Sequence, residues 1–229
     1  MLRSRRMDDD DGREALAELC ALYWQPLFAF ARARGARVED AADQVQGFFA
    51  YLLQSARTGG AALSSAAPDR GRFRSYLLGA FRHFLSDDRR RAQSLKRGGG
   101  VPTITLEAAH EENARIDASS ELTPERLYER RWATTLIGHA MQRLRSEYSA
   151  MDKTELFDAL SPMLDLAGRK GDSALVAAQL GMSPGAVRVA LHRLRRRFGA
   201  LLRYEVAHTA DGDDQIDAEL SHLIQIFQR

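Results

Sequence analysis

The stretch SALVAAQLGMSPGAVRVALHRLRRRFGALLR, residues 173–203, leaves the chain few ways to fold. Val176, Ala177 and Leu180 give a short helix one apolar face. Gly181 suits a left-handed exit, because it has no Cβ to clash there. Ser183 can then cap a second helix, with Pro184 at its first position, where no N–H is needed. Val187, Leu191, Leu194, Phe198 and Leu201 recur at steps of four and three, a buried stripe. At about 100° per residue the opposite face carries Gly185, Val189, His192, Arg193 and Arg196, flanked by Arg188 and Arg195. Two helices joined by a tight glycine turn, the second buried on one side and basic on the other, read as a helix-turn-helix. Six arginines and no acid lie between Arg188 and Arg203. A merely solvated face mixes signs, whereas arginine forks suit phosphate and guanine edges. The pattern points to DNA.

The rest of the chain is helical by the same reasoning, with no strand-like alternation. Residues 12–34 place Leu16, Leu19, Tyr23, Leu27 and Phe30 on one stripe, which Pro26 should kink or divide. Tyr23 and Trp24 read as core. In the helix that follows, Ala42, Val45, Phe49 and Leu52 should face inward. Asp43, Gln46, Gly47 and Ala50 share its outer face, with Asp40 beside them. Residues 55–72 read as a Gly/Ser/Ala loop. Beyond it Phe73, Leu77, Phe81 or Phe84, and Leu85 should be buried, while Arg74, Arg82 and residues 89–91 are expected outside. Aromatics interleaved with arginines suit unpaired bases as well as phosphate.

Net charge is only +2, but the signs segregate: residues 89–97 and 188–203 are basic, 103–121 and 211–219 acidic. Residues 101–122 show no sustained period. Thr123, Pro124 and Glu125 then open a new helix, with Leu127, Trp132, Leu136, Ile137, Met141 and Leu144 inside; a further helix is expected over 153–166. The reading is all-α: two small helical domains over 10–95 and 123–210, an acidic linker at 96–122 and an amphipathic tail helix at 211–229. The lone Cys20 excludes an intramolecular disulfide and a cysteine-cluster zinc site. No apolar run approaches the roughly 18 residues of a membrane span and no signal-peptide core opens the chain, so a cytoplasmic protein without membrane contact is expected.

At this point the chain resembles a bacterial extracytoplasmic-function (ECF) sigma factor, the RNA polymerase subunit that selects promoters. LCALYWQPLFAFARARG resembles the first helices of sigma domain two, and EDAADQVQGFF its D-A-E-D-L-x-Q-x-x-F helix. DRGRFRSYLLGAFRHFLSDDRRRAQSLKRGGG resembles the segment that opens and reads the −10 element. LTPERLYERRWA through LGMSPGAVRVALHRLRRRFGALLR resembles sigma domain four. The resemblance implies that Asp40, Asp43, Gln46 and Gly47 dock on the coiled coil of the largest core polymerase subunit. It implies that Asp69, Arg70, Arg72, Phe73, Arg74, Arg82, His83, Lys96 and Arg97 serve the −10 element. Ser183, Arg188, Val189, His192, Arg193 and Arg196 match the positions that enter the −35 major groove. The polymerase flap is a further implied partner of domain four, and an anti-sigma protein an optional one. Many family members carry an acid where this chain has Ala42 or Gly47, and an asparagine where it has His83.

Two other classes compete. A stand-alone helix-turn-helix regulator would need no polymerase, but also no docking face or second basic helix. A metal-dependent hydrolase built on Asp40, Asp43 and His83 lacks ligand spacing such as H-E-x-x-H. Neither an enzymatic reaction, a metal nor a cofactor is expected. The tail stripe of Ile216, Leu220, Leu223, Ile224 and Phe227 should pack on something. If that is domain four, its acids either compete with DNA for the arginine-rich helix or merely extend the core.

Overall fold

The computed structural model describes residues 10–57, 73–95, 122–164, 173–207 and 212–228, and all regular structure in them is helical. In chain order the helices are α1 (Asp10–Ala33), α2 (Val38–Arg57), α3 (Phe73–Leu95), α4 (Pro124–Ala150), α5 (Thr154–Leu160), α6 (Ser173–Leu180), α7 (Pro184–Ala207) and α8 (Asp213–Gln228). A single 3₁₀ turn, Ser161–Met163, follows α5, so the helix expected over 153–166 is shorter and ends in that turn at Pro162. Two compact units divide the chain, residues 1–132 and 133–229. Their boundary falls inside α4 rather than in the acidic stretch before it. Residues 96–121 of that linker lie outside the described residues.

The first unit is organised by aromatic packing. Phe48 of α2 touches Phe49 on its own helix and Phe81 and Phe84 of α3, at ring-centre distances of 6.1, 5.0 and 5.6 Å. Phe30 of α1 reaches Phe81, and Trp24 stacks on Phe49. Pro26 does not divide α1, which runs unbroken through it. The helix loses one N–H bond there, yet Leu22 and Tyr23 before the proline and Leu27, Phe28 and Phe30 after it are all buried. Burial at about 25 cal/mol per Å² over both halves outweighs one missing bond. On α2 the inward face is Ala41, Val45, Phe48, Phe49 and Leu52, with Ala42 only half-buried. The expected stripe is thus rotated slightly, because two adjacent phenylalanines both enter the core.

Leu127, Tyr128 and Trp132, on the first turns of α4, are buried in this same unit. Tyr128 donates its hydroxyl to the backbone carbonyl of Arg74 at 2.9 Å. Burial pushes the Tyr128 phenol well above its ordinary range, since no water is at hand to solvate a phenolate. Those anchors draw the opening of α4 into the first unit.

The second unit closes around Leu144, Phe157, Leu160, Ala177, Val187, Leu191, Leu194 and Phe198, with Ile137 and Met141 packed half-buried against them. Asp152 ends α4 with φ of 56°, and the N–H of Lys153 returns to the Tyr148 carbonyl at 2.8 Å, which turns the chain into α5. Ile216 and Leu223 bury α8, but Ile224 is exposed and Glu219 buried, so the tail's inward stripe is narrower than its apolar spacing suggested. Glu205, also buried, is held by Arg143 at 2.6 Å with His139 at 3.8 Å.

Candidate nucleic-acid interface

Helices α6 and α7 meet at 104°, within the range of a DNA-binding helix-turn-helix. The corner is built as its sequence requires. Gly181 takes φ of +62°, which a Cβ would make costly, and the N–H of Met182 closes the turn on the Ala177 carbonyl at 2.9 Å. Ser183 caps α7: its Oγ accepts the N–H of Ala186 at 3.2 Å, and its carbonyl accepts that of Val187. Val187, Leu191, Leu194, Phe198 and Leu201 are all buried. Gly185, Arg188, Val189, His192, Arg193 and Arg196 are all exposed, with Val189 at 52%.

The arginines of α7 are sorted by their partners. Arg195, on one flank, donates to the Met163 carbonyl at 3.1 Å. Arg197, on the other, grips Glu147 with both arms of its fork, its Nε at 2.7 Å from the carboxylate. That bond holds the Glu147 carboxyl below its ordinary range. Arg203, near the helix end, meets Asp213 and Asp217 of α8. Among the described residues, Arg188, Arg193 and Arg196 form no ion pair within the protein. They share one face with Val189 and His192. The result is a ridge of unneutralised guanidinium groups, a methyl-bearing side chain and an imidazole, standing clear of the core.

The α3 side is different. Asp69, Arg70, Arg72, Lys96 and Arg97 lie outside the described residues. Arg82 and His83 are exposed, and Arg82 stands 3.6 Å from Glu125, a loose pair open to water. Phe73 is half-buried edge-on to Tyr23 and beside Tyr76. Arg74 corrects the sequence reading. It is 3% exposed, with its guanidinium carbon 4.7 Å from the centre of the Trp132 ring. Its position explains this: Arg74, Leu77, Phe81 and Leu85 follow i, i+3, i+7 and i+11, so helical period turns Arg74 inward whatever its charge. The indole face accepts the cation there.

Of the expected docking face on α2, Asp43, Gln46 and Ala50 are exposed, as is Glu39, four residues before Asp43. Sequence reasoning passed over Glu39, although its i, i+4 relation to Asp43 was legible. Asp40 is held by the fork of Arg37, at 2.8 and 3.1 Å, which draws its carboxyl below the ordinary range. Gly47 is half-buried, and a Cβ there would lie in ordinary contact with the Phe84 ring at 3.4 Å.

Comparison with family models, with curated proteins and with solved structures finds no match to this chain. Among the described residues no three His, Cys, Asp or Glu side chains are grouped to hold a metal ion, and no single helix is long and apolar enough to cross a membrane.

Proposed function

We propose that this chain is an ECF-type sigma factor, a non-enzymatic protein that directs core RNA polymerase to promoters in the bacterial cytoplasm. The observation that carries the reading is the ridge on α7. Its flanking arginines are tied to Met163 and Glu147, while Arg188, Arg193 and Arg196 are left for an outside anion. Such a ridge suits a major groove: arginine for guanine O6 and N7 or phosphate, Val189 for a thymine methyl. On this reading the exposed Glu39, Asp43 and Gln46 of α2 meet an arginine-bearing helix of the polymerase, and the exposed Arg82 and His83 meet the −10 strand. Positional order along the chain, carried over from the family resemblance, joins these surfaces into one function.

The test is promoter-specific transcription with purified core polymerase, starting from promoters selected by binding. Asp43→Ala with Gln46→Ala should abolish co-purification with core while helicity and melting stay near wild type. Full retention of binding by that variant would remove the polymerase half of the proposal. A second reading draws on the burial of Arg74 away from its expected surface: a helix-turn-helix regulator that binds DNA without polymerase. It requires duplex binding through α7 together with no core-dependent transcription.

A further inference from the structure

Arg203 occupies a particular place on α7. At 3.6 residues per turn it lies about five turns beyond Gly185 and returns to the same azimuth. It therefore continues the line of His192 and Arg196, about 10 Å further along the axis at 1.5 Å per residue. Between them Gly199 and Ala200 are exposed and small, so nothing interrupts the line. A helix seated in a major groove leaves it across a phosphate strand, and a cation at that end would grip phosphate without reading a base. Here it is occupied. Asp213 accepts its Nη2 at 3.1 Å, and Asp217 accepts its Nη1. Both acids sit one turn apart on α8, which Ile216 and Leu223 anchor to the second unit.

We propose that Asp213 and Asp217 are specificity determinants of the DNA-binding face: by holding Arg203 off phosphate they end the cationic ridge at Arg196 and keep sequence-independent affinity low. The inference rests on the reading of α7 as a DNA-binding helix. Non-specific affinity is almost wholly electrostatic, and each phosphate contact adds about 0.9 to the slope of log K against log salt. Withholding one arginine whose only use is phosphate therefore weakens binding to random sequence. The base-reading residues Arg188, Val189, His192 and Arg193 are untouched.

The experiment uses the full chain and a fluorescent random-sequence duplex, with anisotropy titrations across a salt series. Asp213→Asn with Asp217→Asn should tighten binding at low salt and steepen the salt slope by about 0.9. Adding Arg203→Gln to that pair should return both to wild type, and Arg203→Gln alone should change neither. Asp214, exposed on the same first turn and in no ion pair among the described residues, is the internal control: Asp214→Asn should leave the slope unchanged. An unchanged slope in the paired variant overturns the proposal. So does a steeper slope that survives Arg203→Gln, or an equal effect from Asp214→Asn, since either makes the acids a diffuse repulsion. If wild type binds and Arg188→Ala or Arg196→Ala weakens it, such results remove this inference alone. Failure of every form to bind duplex at low salt removes the DNA reading with it.

Discussion

Helices α3 and α7 both carry arginines among apolar residues, and by composition either would face nucleic acid. The fold treats them oppositely. In α3, Arg74 is drawn under Trp132 and its carbonyl is bonded by Tyr128. In α7, Arg195 and Arg197 find partners on the flanks, Arg203 is held by α8, and Arg188, Arg193 and Arg196 stand outward together. What separates them is azimuth relative to the apolar stripe, not charge density. An arginine on the stripe must be accommodated inside by an aromatic face and hydrogen bonds. One opposite the stripe is left for another molecule unless, as at Arg203, a neighbouring helix brings acids to it.

The comparison can be broken most directly at Trp132. Trp132→Ala should cost about 3–5 kcal/mol of stability, read by urea unfolding, and Arg74→Ala about 2 kcal/mol with the loss of the desolvated cation–π contact. Neither should alter the sequence preference of DNA binding while the protein remains folded. A neutral Arg74→Ala would mean that α3 carries its arginine as openly as α7 does. Arg193→Ala inverts the pattern: melting should stay within about 0.5 kcal/mol of wild type, while binding loses about 1–3 kcal/mol at one position of the selected site.

The smallest effect sharpens the division within α7 itself. Arg197→Ala should lower stability by about 0.2–1 kcal/mol, as expected of a half-exposed pair, and leave the DNA sequence preference alone. Because Arg197 depresses the Glu147 carboxyl, the pair stabilises the fold above the ordinary glutamate range near pH 4.3. That contribution is lost as pH falls through the lower folded value. Glu147→Gln should accordingly flatten the acid limb of a melting-against-pH curve. An unflattened limb would assign the acid sensitivity to other carboxylates.

Much of this was legible in the sequence because it depends on local rules. The α6–α7 corner follows from Gly181, Ser183 and Pro184, and the inward stripe of α7 from its period. The exposure of Asp43 and Gln46 follows in the same way. The misplacements came where residue type and period disagreed, or where a partner lay far along the chain. Arg74 was assigned outward by its charge although its spacing put it with Leu77 and Phe81. The approach of the Phe84 ring to Gly47 is made between α2 and α3, and no pattern within α2 announces it. The sorting of the α7 arginines likewise depends on Met163, Glu147, Asp213 and Asp217, which only tertiary packing brings near.

The chain has two tryptophans, Trp24 and Trp132, and both belong to the first unit. Indole emission, excited at the red edge where tyrosine no longer absorbs, is therefore a private signal of that unit. The second unit, with the α7 ridge, has only tyrosines such as Tyr148 and Tyr204 and is silent in this channel. Denaturation followed by indole emission and by far-ultraviolet dichroism will coincide only if the two units unfold together. A change in indole emission on titrating DNA would therefore report an event in the first unit, and its absence would leave binding to the second.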